Sequence, residues 1–192
     1  KMKRFLLSIT IFAAAAAMIV GCSSKAKWGE KERREVRDEV RAYRDMVYLE
    51  NLADVEFDEF SGDVVEAIEI DYPVYTTFVE LPGKGDTVEI YVVSTIVSEL
   101  NADAHNMRNI FPYPQLVADG ILPPALDKQA QRAFYDCFAR KVRNYYPSTE
   151  AFFEAVVNDD PSTSMLTMFQ QQCAADLFDW NVVVDETTIF FD

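Results

Sequence analysis

From residue 30 onward, apolar side chains recur every three or four positions, the period of an α-helix with one buried face. Val36, Val40, Tyr43 and Val47 form such a face opposite a densely charged one. Phe60, Val64 and Ile68 repeat the pattern despite Gly62, and Tyr72-Pro73 should end that helix, because proline disfavours helical geometry in the residue before it. Residues 81–85, LPGKG, read as a turn, after which Asp86 with Glu89 three positions on has the form of an acidic N-cap and its partner. The following VEIYVVSTIVSEL is ambiguous: its β-branched residues argue for a strand at residues 88–97, its length and start signal for a buried central helix, which is the reading adopted. Pro114 and Gly120 bracket a short helix. Leu126, Ala130, Phe134, Phe138, Val142 and Tyr145 make the clearest long stripe; Phe152, Val156 and Val157 belong to a shorter helix, and Leu166, Phe169, Cys173 and Leu177 to the last. Residues 181–192, NVVVDETTIFFD, have strand-like composition but no evident partner. The expected fold is mainly α, a single domain over residues 30–192 with about five to seven helices and a short C-terminal strand segment as an option.

The stretch ahead of these helices is of another kind. Lys1, Lys3 and Arg4 precede an apolar run over residues 5–20, which closes on Gly21. Positive, apolar and small parts in this order are the layout of a secretory leader. At about 1.5 Å per residue the run spans roughly 24 Å, short of the ~30 Å core of a bilayer, which favours a removable leader over a membrane-spanning helix.

Ile19, Val20, Gly21 and Cys22 resemble the lipobox of bacterial lipoprotein precursors, in which two aliphatic or small residues and a Gly or Ala precede a Cys; Ile19 stands where Leu is commoner. The resemblance covers residues 1–24. It implies that Cys22 is lipidated on its sulfur, that residues 1–21 are cut away, and that the new amino group is acylated. Two or three acyl chains hold a protein on a bilayer where one does so only marginally, at about 0.8 kcal/mol per buried CH₂. Ser23, in place of the Asp that retains such proteins in the inner membrane, points to the outer membrane, and the basic Lys25 and Lys27 to its periplasmic face. Residues 22–29 would then be a lipidated tether.

Composition supports a folded domain, since 49% of the chain is apolar and 14 residues are Phe. The net charge of −14 becomes −17 once Lys1, Lys3 and Arg4 leave with the leader, which excludes nucleic acid as a partner, because such binding draws on Lys and Arg against phosphate. Charge is also unevenly spread. Residues 45–103 hold Lys84 as their one base, whereas residues 128–143 hold Lys128, Arg132, Arg140, Lys141 and Arg143 against Asp136. That basic helix is expected to pack beside acidic segments of the same chain, or to offer its complementarity to a partner.

Cys137 and Cys173 each lie on the apolar stripe of a predicted helix. In an oxidising compartment a disulfide between them is the favoured reading, and two buried thiols packed as small hydrophobes the alternative. His105 is the single histidine, so a multi-histidine metal centre is excluded, and no HExxH, GxSxG, CxxC or glycine-rich phosphate loop occurs. No cofactor, metal site or catalytic residue is expected. Asp54, Glu56, Asp58 and Glu59 lack the turn glycine of an EF-hand and read as a charged helix face.

Half of the eight prolines follow an aromatic residue, and two of these steps, Phe111-Pro112 and Tyr113-Pro114, adjoin. Proline fixes its own φ and restricts the residue before it, so this segment should be stiff. Residues 103–113 add His105 and an isolated Arg108. Asp103, His105, Arg108, Phe111 and Tyr113 are therefore the candidate binding residues, since Arg and aromatic side chains dominate interface energies; the alternative is that the rings plug the core.

Together with the anchor, these features point to a lipid-anchored, non-catalytic interaction or accessory subunit of an envelope assembly, with another envelope protein as partner and the membrane reached through Cys22. Two competing classes are a periplasmic carboxylate-dependent hydrolase of cell-wall or glycan material and an acidic binder of cationic envelope-active proteins. Two convergent carboxylates of raised pKa would mark the hydrolase, an exposed apolar patch the interaction protein.

Overall fold

A computed structural model describes residues 27–102 and 104–180; the leader, Cys22, Asp103 and the strand-like residues 181–192 lie outside the described residues. The chain runs through α1 (Glu30–Val40), α2 (Asp54–Asp71), α3 (Tyr75–Val79), α4 (Lys84–Ala102), α5 (Met107–Ile110), α6 (Tyr113–Ala118), α7 (Lys128–Tyr145), α8 (Thr149–Val157) and α9 (Ser164–Phe178), with short 3₁₀ turns at Arg41–Tyr43, Leu49–Asn51, Ala104–Asn106 and Pro161–Thr163. The fold is mainly α, with no strand among the described residues. Helices α3, α5 and α6 are pieces of five, four and six residues; the other six are the amphipathic helices that the periodicity predicts.

Helix α4 is the hub, packing on α1, α2 and α8, while α7 packs on α9 and one continuous core joins them. Its buried residues are Val88, Val92, Ile96 and Leu100, a four-residue spacing that keeps one stripe on one side and resolves residues 88–97 as helix. Burial of that stripe overrides the β-propensity of its valines. The helix is not buried all round, however: Ile90 is 66% exposed. Nor does Asp86 cap it. Gly83, at φ +77°, turns the chain in a left-handed conformation that suits glycine, and its carbonyl accepts from the Thr87 amide at 3.1 Å. Helix α4 therefore starts at Lys84 and places Asp86 in its first turn, beside the positive end of the helix dipole.

The first helix also departs from its stripe, stopping before Val47. Tyr48 adopts φ +83°, a region that costs a non-glycine residue on the order of 1–3 kcal/mol. Two features offset that cost. The Tyr48 ring is fully buried, and the Arg44 guanidinium donates to the carbonyls of Leu49 and Leu52 at 2.5 and 2.6 Å while lying 4.6 Å from the centre of the Phe57 ring.

Helix α7 buries Phe134, Phe138 and Val142 but leaves Tyr145 44% exposed, and Tyr146 takes its place inside. The helix ends at Tyr145, so the next residue swings its ring edge-on to Phe152, 5.4 Å away. Val157 and Leu177, in the last turns of α8 and α9, also face outward. Asp127 and Ser148 cap α7 and α8 by accepting from the Ala130 and Ala151 amides at 2.8 and 3.1 Å, which satisfies donors that a helix start leaves open. A disulfide joins Cys137 on α7 to Cys173 on α9, with Cα atoms 6.0 Å apart. Trp28, placed in the tether on sequence grounds, packs on the domain instead. Its indole donates to the Tyr72 carbonyl at 2.6 Å and meets Tyr75 edge-on at 5.0 Å, which fixes the entry to α1 against the corner between α2 and α3.

Candidate interaction site

The candidate segment leaves α4 through the Ala104–Asn106 turn and forms α5. Met107, Asn109 and Ile110 point inward and are buried, which leaves Arg108 on the outer side. Its guanidinium donates to Glu56 on α2 at 2.9 Å. Both side chains are about half exposed, and pairs of that kind contribute roughly 0–1 kcal/mol. The Asn51 amide donates to the Asn109 carbonyl at 2.8 Å and holds α5 against the Leu49–Asn51 turn.

The two aromatic-proline steps act mainly as ties. Phe111 is half-buried, its ring edge-on to Phe138 at 5.3 Å, and its carbonyl accepts from the Tyr135 hydroxyl at 2.6 Å. Tyr113 bridges a loop: its hydroxyl donates to the Pro123 carbonyl and accepts from the Leu126 amide, both at 2.9 Å. Of the residues singled out in sequence, then, His105 and Arg108 come together on the surface, Phe111 and Tyr113 brace the segment from behind, and Asp103 lies outside the described residues.

What sequence reasoning missed is the face opposite them. Lys128, Gln131, Arg132 and Tyr135 recur at spacings of three, one and three in the first two turns of α7 and so share one side of it. With His105, Asn106 and Arg108 they line a depression of about 240 Å³. A second depression, of about 400 Å³, shares Arg108, Gln131 and Tyr135 with it and has Pro112, Tyr113 and Pro114 on its rim. Among the described residues no ion pair engages Lys128 or Arg132. His105 Nδ1 stands 3.6 Å from the Asp136 carboxylate. Burial pushes the Tyr135 phenol up, which keeps it a neutral hydroxyl. The positive end of the α7 dipole adds to the same field. The combination offers charge-assisted hydrogen bonds to carboxylate or phosphate groups, with a stiff apolar rim beside them. Sequence carried one signal for it, the run of bases over residues 128–143, but nothing in the sequence said that this run would face Arg108.

The buried polar chemistry lies elsewhere. Burial pushes the Glu99 carboxyl up against the opposing hydrogen bond from the Tyr48 hydroxyl, and the neighbouring Asp63 and Glu56 carboxylates add to the rise. No cluster of three or more His, Cys, Asp or Glu side chains suited to a metal ion occurs among the described residues. In comparison with known proteins, no family model, no curated protein and no solved structure matches this chain.

Proposed function

We propose that this protein is a lipid-anchored lipoprotein of the cell envelope, held at Cys22 on the periplasmic face of the outer membrane, and that its helical domain is a non-catalytic interaction subunit. The observation that carries the anchor is the order of parts in the sequence: a basic cluster, an apolar run too short to span a bilayer comfortably, and Ile19, Val20, Gly21 and Cys22 at its end. The observation that supports an interaction role is the gathering of His105, Arg108, Lys128 and Arg132 around one depression in a chain of net charge −14. An acidic segment of an envelope protein partner is the ligand that this field selects. Among the described residues, Lys128 and Arg132 would meet it without giving up an ion pair, while Arg108 contacts Glu56 at 2.9 Å and His105 stands 3.6 Å from Asp136.

The experiment has two arms. Cys22→Ser should block lipidation, and unprocessed precursor should accumulate; a variant cleaved at the same place and still membrane-bound would overturn the anchor. In intact cells, crosslinking should capture a protein partner on the wild type, and a Lys128→Glu/Arg132→Glu double variant should lose that partner while melting normally. Undiminished capture by the folded double variant would remove the depression from the interaction.

A further inference from the structure

The exposed side of α4 carries a second apolar stripe, distinct from the one that builds the core. Ile90, Val93 and Val97 follow one another at spacings of three and four, the repeat of one helix face. Val93 and Val97 are half-buried and Ile90 is 66% exposed. Helix α8 lies alongside α4, and the two make a groove of about 580 Å³ with this stripe as its floor. Val157, 49% exposed, is on the same side of α8 as Glu150 and Glu154 by helical spacing and extends the apolar surface. From Asp86 to Val97 the groove runs about 17 Å, or three turns of helix.

Its walls are acidic. Asp86 and Glu89 stand on the α4 side, Glu150 and Glu154 on the α8 side. All four are exposed, and among the described residues none is in an ion pair. Beyond Val97 and Glu150 the groove meets a second hollow, where Arg143 is the first cation along its course.

We propose that this groove docks an amphipathic, basic helix of another protein, with the partner's apolar face on Ile90, Val93 and Val97 and its Lys or Arg residues against the four carboxylates. Charge complementarity decides the occupant. An acidic or neutral helix would leave four like charges crowded around a newly dried apolar floor, whereas a basic one relieves their mutual repulsion as it covers the floor. The spacing of the stripe matches the i, i+3, i+4, i+7 anchors of a helix laid in a groove. This surface lies apart from the basic depression and does not depend on the lipid anchor.

Fluorescence anisotropy on the purified full chain tests it with a labelled 14-residue Leu/Lys peptide whose leucines form one helical stripe, against a peptide of the same composition with its leucines scattered. The striped peptide should bind at least about tenfold tighter than the scattered one, and Glu89→Lys/Glu154→Lys should weaken it about tenfold. Ile90→Ser should weaken it as well. Asp58→Lys/Glu59→Lys, an equal change of charge on α2 outside the groove, should leave it within about twofold. Circular dichroism confirms that each variant is folded, and a striped Leu/Glu peptide should bind the Glu89→Lys/Glu154→Lys chain better than the wild type. Equal binding of both Leu/Lys peptides, or equal weakening by the α2 reversals, would reduce the effect to general attraction to an acidic chain and overturn the groove. Concentration-dependent self-association abolished by Glu89→Lys/Glu154→Lys would give the groove to a second copy of this chain and overturn the choice of partner.

Discussion

Tyr48 donates its hydroxyl to the carboxylate of Glu99 across 51 positions of sequence, tying the turn after α1 to the last third of α4. Its ring is fully buried, and burial pushes the phenol far up, so the hydroxyl keeps its proton and remains a donor. Tyr48→Phe keeps the ring and removes that donor. It should cost about 1–3 kcal/mol, the range for leaving a partly buried acceptor without its partner. Urea unfolding of the two proteins measures it, and a loss below about 0.5 kcal/mol would mean that water replaces the hydroxyl at Glu99 without penalty.

The pH dependence follows from the same pair. Burial raises the Glu99 carboxyl above its ordinary value of 4.5 and overrides the Tyr48 hydrogen bond, which acts the other way. The folded chain therefore holds this proton more tightly than the unfolded one, and stability is lost as pH rises from the unfolded value through the folded one. Glu35 and Glu69 have the opposite sign. Hydrogen bonds from Tyr75 and Arg33 lower them, and their contribution is lost as pH falls. Glu99→Gln removes the first effect alone, so the variant's thermal midpoint relative to wild type should be higher at about pH 7 than at about pH 4. A difference that does not change over that range would show that Glu99 binds its proton alike in both states.

The Cys137–Cys173 disulfide closes a segment whose ends are 36 residues apart. On the chain-entropy account a loop of that size stabilises by about 3–4 kcal/mol. The double change Cys137→Ala/Cys173→Ala should lower the thermal midpoint by roughly 2–4 °C for each kcal/mol lost. Calorimetry with and without reductant checks this, because reductant should move the wild type towards the variant and leave the variant unchanged.

Phe111 and Tyr113 should behave as structural residues in spite of their place in the candidate segment. Phe111→Ala removes the ring that meets Phe138 and should cost about 2–4 kcal/mol, given partial burial. Tyr113→Phe removes both the bond to the Pro123 carbonyl and the one from the Leu126 amide, for about 1–3 kcal/mol. Arg132→Glu, on the exposed side of the same region, should change the midpoint little. Chemical denaturation of the three variants in parallel decides the matter, and near-normal stability of both aromatic variants would return these rings to a binding role.

Helix type and approximate position were properties of the sequence alone, because a 3.6-residue period and proline or glycine punctuation act locally. The stripes of Phe60, Val64 and Ile68 and of Phe134, Phe138 and Val142 are buried as their spacing requires, and Gly120 sits past the end of α6 at φ +73°. The lipobox-like Cys22 and the lack of catalytic motifs were also legible there, since both are matters of residue order. Tertiary structure decided which neighbour each face meets. Only packing could send Phe111 towards Phe138, fold Trp28 back onto Tyr72, and set Lys128 and Arg132 facing Arg108, because those residues lie on separate elements whose approach no local pattern encodes. The same holds for α4, whose two apolar stripes are alike in sequence. One became core because α1 and α2 cover it, while the other was left beside α8 with Ile90 in the open.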